Sequence, residues 1–152
     1  MISVTRERRM PYALDSVWAF LSEPANLPLV MARIIRVEVG TKSGDNTPLT
    51  AHFDFGTTMG RRAATGVFRT VAQDEVHFEA ARPLPLLARW TLQPEEDSVL
   101  LIALLRFDLK PMLGPLAMLA PIPKIKARVA DELTLALKRT EELLNSSDPK
   151  TI

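Results

Sequence analysis

The chain has 152 residues with 19 basic and 18 acidic side chains, a net charge of +1, so nothing in its charge balance points to nucleic acid as a partner. It contains no cysteine, which removes disulfide frameworks and thiolate metal sites and fits a reducing, cytoplasmic compartment. The length predicts one domain with a proper core.

The opening stretch Ile2 to Arg9 alternates apolar and polar residues and predicts a strand; it has no apolar h-region, so no signal peptide is expected. Pro11 ends it. Leu14 to Leu21, with Val17, Trp18 and Leu21 on one side, predicts a short helix. Ser22 is the expected N-cap of a second short turn that Pro24 opens and Pro28 limits. Ile34 to Gly40 is β-branched and strand-like, and Ser43-Gly44-Asp45-Asn46 is a turn. Strands are then expected over Leu49 to Phe55, Arg62 to Val71, Val76 to Ala81, Leu87 to Leu92 and Val99 to Leu109. Short polar turns separate them, which argues for antiparallel pairing.

Alternation assigns faces. Phe53 and Phe55 lie opposite His52 and Asp54, Phe78 opposite His77 and Glu79, and Trp90 and Leu92 opposite Arg89 and Thr91. One sheet face is therefore wet and the other buried. The last strand differs: Leu101, Ala103, Leu105 and Phe107 share one face, yet Leu100, Ile102 and Leu104 occupy the other. Such a strand is covered from behind or contributes to an interface, and a homodimer through Leu100, Ile102 and Leu104 is one expectation.

A long amphipathic helix is predicted from Pro123 to Leu144. At about 100° per residue, Ile125, Val129, Ala130, Leu133, Ala136, Leu137, Thr140, Leu143 and Leu144 form one arc, with Lys124, Arg128, Asp131, Lys138, Arg139 and Glu142 opposite. Leu135 falls on the wet face. The run Leu109 to Pro123 before it is broken by Lys110, Gly114 and four prolines, too often for a membrane span. Within it Met112 to Pro123 reads as a kinked helix start, as a ligand lid, or as a membrane-surface contact, since Lys124, Lys126 and Arg128 follow. From Asn145 the helix is expected to stop, leaving 146–152 as a flexible tail after a domain spanning 1–145; the sequon Asn145-Ser146-Ser147 is a chance match.

Polar chemistry is sparse. His52 and His77 fall on the wet face, and His52-x-Asp54 lacks the further ligands that zinc requires. Gly56-x-x-x-Gly60-Arg61-Arg62 lacks the lysine and helix of a phosphate loop and reads as a hairpin turn. Arg33, Arg61 and Arg62 are the side chains able to reach a ligand's carboxylate or carbonyl. No catalytic residue, metal site or cofactor is expected.

The order of strand, two short helices, antiparallel strands and long closing helix resembles the helix-grip fold of the START and Bet v 1-like superfamily, most of all its polyketide cyclase/dehydrase and coenzyme Q-binding branch. The resemblance lies in Pro11 with Asp15-Ser16-Val17-Trp18-Ala19-Phe20-Leu21-Ser22, then Pro24, Asn26 and Pro28. It continues through Trp90-Thr91-Leu92-Gln93-Pro94, an acidic turn and Ser98, and through Leu113-Gly114-Pro115-Leu116 into the closing helix with its Leu137-Lys138. Glu23 departs from the pattern where an Asp is common, and no glycine relieves the turn at Glu95-Glu96-Asp97. The resemblance implies an α+β domain in which a curved antiparallel sheet wraps the long C-terminal helix and leaves a cavity. By that implication the cavity is lined by Phe53, Phe55, Phe78, Trp90, Leu92, Leu101, Leu105, Ile125, Val129 and Leu133, with Met112, Leu116 and Met118 near its mouth. The expected function is binding or transport of a hydrophobic small molecule: a lipid, a quinone or an aromatic polyketide-like compound. The alternative is a cyclase/dehydratase acting in the same cavity.

Overall fold

A computed structural model describes residues 1–57 and 59–147. Its strands are β1 (Ile2–Met10), β2 (Ile34–Val39), β3 (Asn46–Asp54), β4 (Arg61–Val71), β5 (Glu75–Arg82), β6 (Leu86–Pro94) and β7 (Val99–Phe107). The helices are α1 (Leu14–Leu21), α2 (Leu27–Val30), α3 (Lys110–Leu113) and α4 (Ile122–Ser147), with 3-10 turns at Pro24–Asn26 and Gly114–Leu119. All strands join one antiparallel sheet in the order β1-β7-β6-β5-β4-β3-β2. The fold is the helix-grip arrangement, with the sheet curved around α4.

The curvature has a local cause at Gly66. The β4–β5 register shifts between Thr65 and Gly66, and a Cβ at Gly66 would overlap the backbone carbonyl of Glu79. Only glycine lets β5 approach that closely while the ladder bends.

Local chemistry corrects several expected boundaries. The cap before the first 3-10 turn is Glu23 rather than Ser22: its carboxylate accepts from the Ala25 amide at 3.2 Å. Pro28 does not limit that turn but sits in the first turn of α2, where its missing N–H has no helical partner to lose. The closing helix runs through Ser147, past the expected start of the tail, and residues 148–152 lie outside the described residues. Within it Leu133, Ala136, Leu137, Thr140 and Leu144 are buried, while Leu135 is exposed. The Thr140 hydroxyl satisfies itself by donating to the Ala136 carbonyl at 2.8 Å.

The C-terminal half of α4 is buried on its inner face, with Leu137 1% and Leu144 5% exposed. Leu137 and Leu144 share a buried cluster with Met10, Val17, Leu92 and Leu101. Arg8 pairs with Glu141 at 2.9 Å, and the Tyr12 hydroxyl donates to Asn145 Oδ1 at 3.3 Å, tying the helix end to β1 and its following loop. On the opposite flank Arg139 Nε donates to the Leu29 carbonyl at 3.0 Å.

On the outer face of β7, register places Leu100, Ile102 and Leu104 between Arg9, Glu7 and Thr5 of β1 and Gln93, Thr91 and Arg89 of β6. These polar rows leave Leu100 and Ile102 half-buried and Leu104 buried, so little apolar surface faces outward there.

Candidate functional site

The N-terminal half of α4 borders a cavity of about 210 Å³ between the helix and the sheet. That exceeds the ~150 Å³ void that admits benzene and falls below the ~300 Å³ at which pockets for drug-sized ligands begin. The sheet contributes Ile34, Phe53, Phe78, Trp90, Leu105 and Phe107, and α4 contributes Ile125, Val129 and Leu133. Leu27, Val30, Met31 and Ala32 close one side, and Phe55, Met59, Leu84 and Leu109 from loops close another.

Strand alternation builds this wall. Leu86, Ala88 and Trp90 point inward from β6, and Ala88 is cross-strand neighbour to Phe78 on β5 and Leu105 on β7. A methyl group between two large side chains leaves room that a leucine would fill. Phe53 and Phe55 stack with ring centroids 5.2 Å apart and planes within 3°, forming a flat aromatic panel.

Polar groups in the lining are few: Arg33, Arg128 and Glu132. Arg33 Nη2 lies 2.7 Å from Glu132 Oε1, its Nε donates to both Glu132 oxygens at 2.8 and 2.9 Å, and its Nη1 donates to the Asp54 carbonyl at 3.3 Å. Both side chains are about one-third exposed, at 31% and 34%. Hydrogen bonding to Glu132 holds the Arg33 guanidinium above its ordinary range, against the opposing effect of partial burial; the charge of Glu132 adds to the rise. The ion pair thus ties the α2–β2 connection to α4 beside the cavity.

Of the residues expected to line a cavity, Phe53, Phe55, Phe78, Trp90, Leu105, Ile125, Val129 and Leu133 are brought together around it. Leu92 and Leu101 are not. They are cross-strand partners at the other end of the sheet, 2% and 0% exposed, where α1 and the C-terminal half of α4 pack tightly. Met112 packs partly buried against the core, but Leu116 and Met118 project into water and do not line the mouth. Gly114, at φ 56°, turns the chain outward there. Arg61 and Arg62 are exposed at the start of β4, away from the lining.

Sequence reasoning missed Glu132, Ala88 and the α2 side of the cavity. Ala88 was legible in the inward alternation with Trp90, whereas Glu132 lies on the border of the helix stripe and gave no signal. The histidines stand in outer-face pairs: His52 Nε2 lies 3.3 Å from Glu38, and His77 Nδ1 3.2 Å from Glu75. Hydrogen bonding from His52 and then Arg36 lowers the Glu38 carboxyl below its ordinary range. Among the described residues no group of three or more His, Asp or Glu side chains is placed to hold a metal ion.

No family model matches the chain, and no curated protein matches it by sequence. Solved structures do match. A START superfamily protein from Mycobacterium smegmatis is 14% identical with a TM-score of 0.75, covering 96% of this chain and 99% of that one. The Zhui aromatase/cyclase from Streptomyces is 10% identical with a TM-score of 0.72, covering 95% and 93%. A STAR-related lipid transfer protein from Xanthomonas axonopodis is 17% identical with a TM-score of 0.71, covering 94% and 85%. At such identities the likeness establishes the fold, and the chain has the START-like helix-grip fold.

Proposed function

We propose that the chain binds and carries a hydrophobic small molecule with one uncharged polar end, held between α4 and the sheet. The observation that supports this reading is the distribution of polarity in the cavity: aromatic and aliphatic walls, with the Arg33–Glu132 pair beside them. An apolar body gains by leaving water for such walls. The pair is neutral as a unit and offers both donor and acceptor atoms to a hydroxyl or carbonyl, while Arg128, exposed to water, adds a further donor to the lining. The fold it shares with a lipid transfer protein is consistent with that role. The absence of cysteine fits a cytoplasmic setting.

Native mass spectrometry of freshly purified protein tests the reading. A co-purified apolar molecule, displaced by a hydrophobic fluorescent probe, is the expected result. A protein that takes up no probe overturns it.

A cyclase/dehydratase is the second reading, favoured by the fold shared with an aromatase/cyclase and by Glu132, the carboxylate in the lining. It requires Glu132 to exchange a proton with the guest. Under it Glu132→Gln abolishes turnover of a reactive polyketide, whereas the carrier reading predicts uptake without turnover in either protein.

A further inference from the structure

Apart from Met112, which packs partly buried against the core, residues 110–124 carry a surface that neither the cavity nor the core uses. α3 and the 3-10 turn after it contain no buried residue. Leu116 is 62% exposed, Met118 93% and Leu119 79%, and Ile122 at the start of α4 is exposed as well. The segment nonetheless has local backbone hydrogen bonds: the Met112 amide donates to the Leu109 carbonyl at 3.0 Å, Ala120 to Ala117 at 3.2 Å and Ile122 to Ala120 at 2.9 Å. Single exposed apolar side chains are ordinary, but this cluster within a few residues marks an interaction surface.

Charge identifies the partner. From 109 to 130 the sequence contains Lys110, Lys124, Lys126 and Arg128 and no acidic residue, although the whole chain is nearly neutral. The last three occupy the first turns of α4, with Arg128 about 9 Å along the axis from Ile122, and all four are exposed. An exposed apolar tip bordered by basic side chains matches a surface with an anionic outer layer and an apolar interior.

We propose that this segment docks the protein on anionic lipid membranes, with Leu116, Met118 and Leu119 entering the headgroup boundary and the flanking basic residues resting on lipid phosphates. The attachment is peripheral. No helix among the described residues is long and apolar enough to cross a membrane. The docking surface is separate from the cavity lining apart from Arg128, so its failure and that of the carrier reading are separable.

Flotation with vesicles of phosphatidylcholine alone, or mixed with phosphatidylglycerol, tests the proposal. The protein is expected to float with the mixed vesicles, more weakly as salt rises, and to remain behind with phosphatidylcholine alone. Lys124→Glu with Lys126→Glu is expected to lower the partition coefficient at least tenfold, given about fivefold per basic residue near such a surface. Met118→Asp with Leu119→Asp is expected to abolish flotation while circular dichroism and probe uptake by the cavity stay unchanged. Equal flotation of all variants, or none by the wild type, overturns the proposal. So does a concentration-dependent dimer in sedimentation that Met118→Asp dissolves, which assigns the surface to a second copy of the chain.

Discussion

Arg33 and Glu132 are separated by 99 residues and meet with nitrogen and oxygen 2.7 Å apart, joining the start of β2 to the middle of α4. The contact lies beside the cavity, where α4 faces the α2–β2 connection. A pair this exposed is worth about 1 kcal/mol or less to stability. Its effect on a guest is expected to be larger. Arg33→Ala should shift the denaturation midpoint only slightly yet accelerate probe release in stopped-flow measurements. A large loss of stability with unchanged release would assign the pair to structure alone.

The two halves of α4 respond differently to truncation. Leu137 is fully packed, whereas Leu133 borders the cavity. Leu137→Ala is expected to cost about 4 kcal/mol and Leu133→Ala about 2, the upper and lower parts of the range for buried leucines. Lys138→Ala on the wet face should stay within about 0.5 kcal/mol. Chemical denaturation with unchanged slopes measures all three, and equal costs for the two leucines would contradict the placement of the cavity.

Ala88 gives a test of occupancy. Its Cβ faces the void between Phe78 and Leu105. Ala88→Phe is expected to fill the space, abolish probe uptake and leave the melting temperature unchanged or raised. Uptake at the wild-type level would place the guest elsewhere.

Gly66 tests the bend. The obstacle to a side chain there is the Glu79 backbone, which cannot rotate aside, so Gly66→Ala should cost about 3 kcal/mol or more. Gly44, at φ +61° with open space around it, is the comparison. Gly44→Ala should cost only about 1–2 kcal/mol, the penalty of a left-handed backbone. Calorimetry that finds the two equal would remove the bulge as the source of curvature.

Alternation fixed which side chains of β3, β5 and β6 face inward, and the helical period identified the buried stripe through Thr140. Neither period says where along its length a helix borders a cavity and where it packs solidly, and that decides why Leu105 lines a cavity while Leu101 is buried core. Proximity in sequence misled in the same way for Leu116 and Met118. They lie just before α4, but the turn at Gly114 directs them to water. The Arg33–Glu132 contact was illegible because it depends on how a strand start and a mid-helix residue are brought together. The membrane-surface reading of residues 112–123 had its charges in plain view, but the exposure of Met118 and Leu119 could not be read from sequence.

The backbone hydrogen bonds of the sheet run between strands, and those of α4 run within the helix. None of the strand ladders depends on how far α4 stands from the strands. Leu137, Leu144 and the Arg8–Glu141 pair hold the C-terminal half of the helix to the core and β1, and the Arg33–Glu132 pair holds it beside the cavity. A shift of α4 relative to the strands would break no ladder; its cost would be the Arg33–Glu132 contact and the apolar contacts of Val129, Ala130 and Leu133. The size of the cavity is therefore a matter of side-chain packing between helix and sheet, and it can change without the loss of any backbone hydrogen bond.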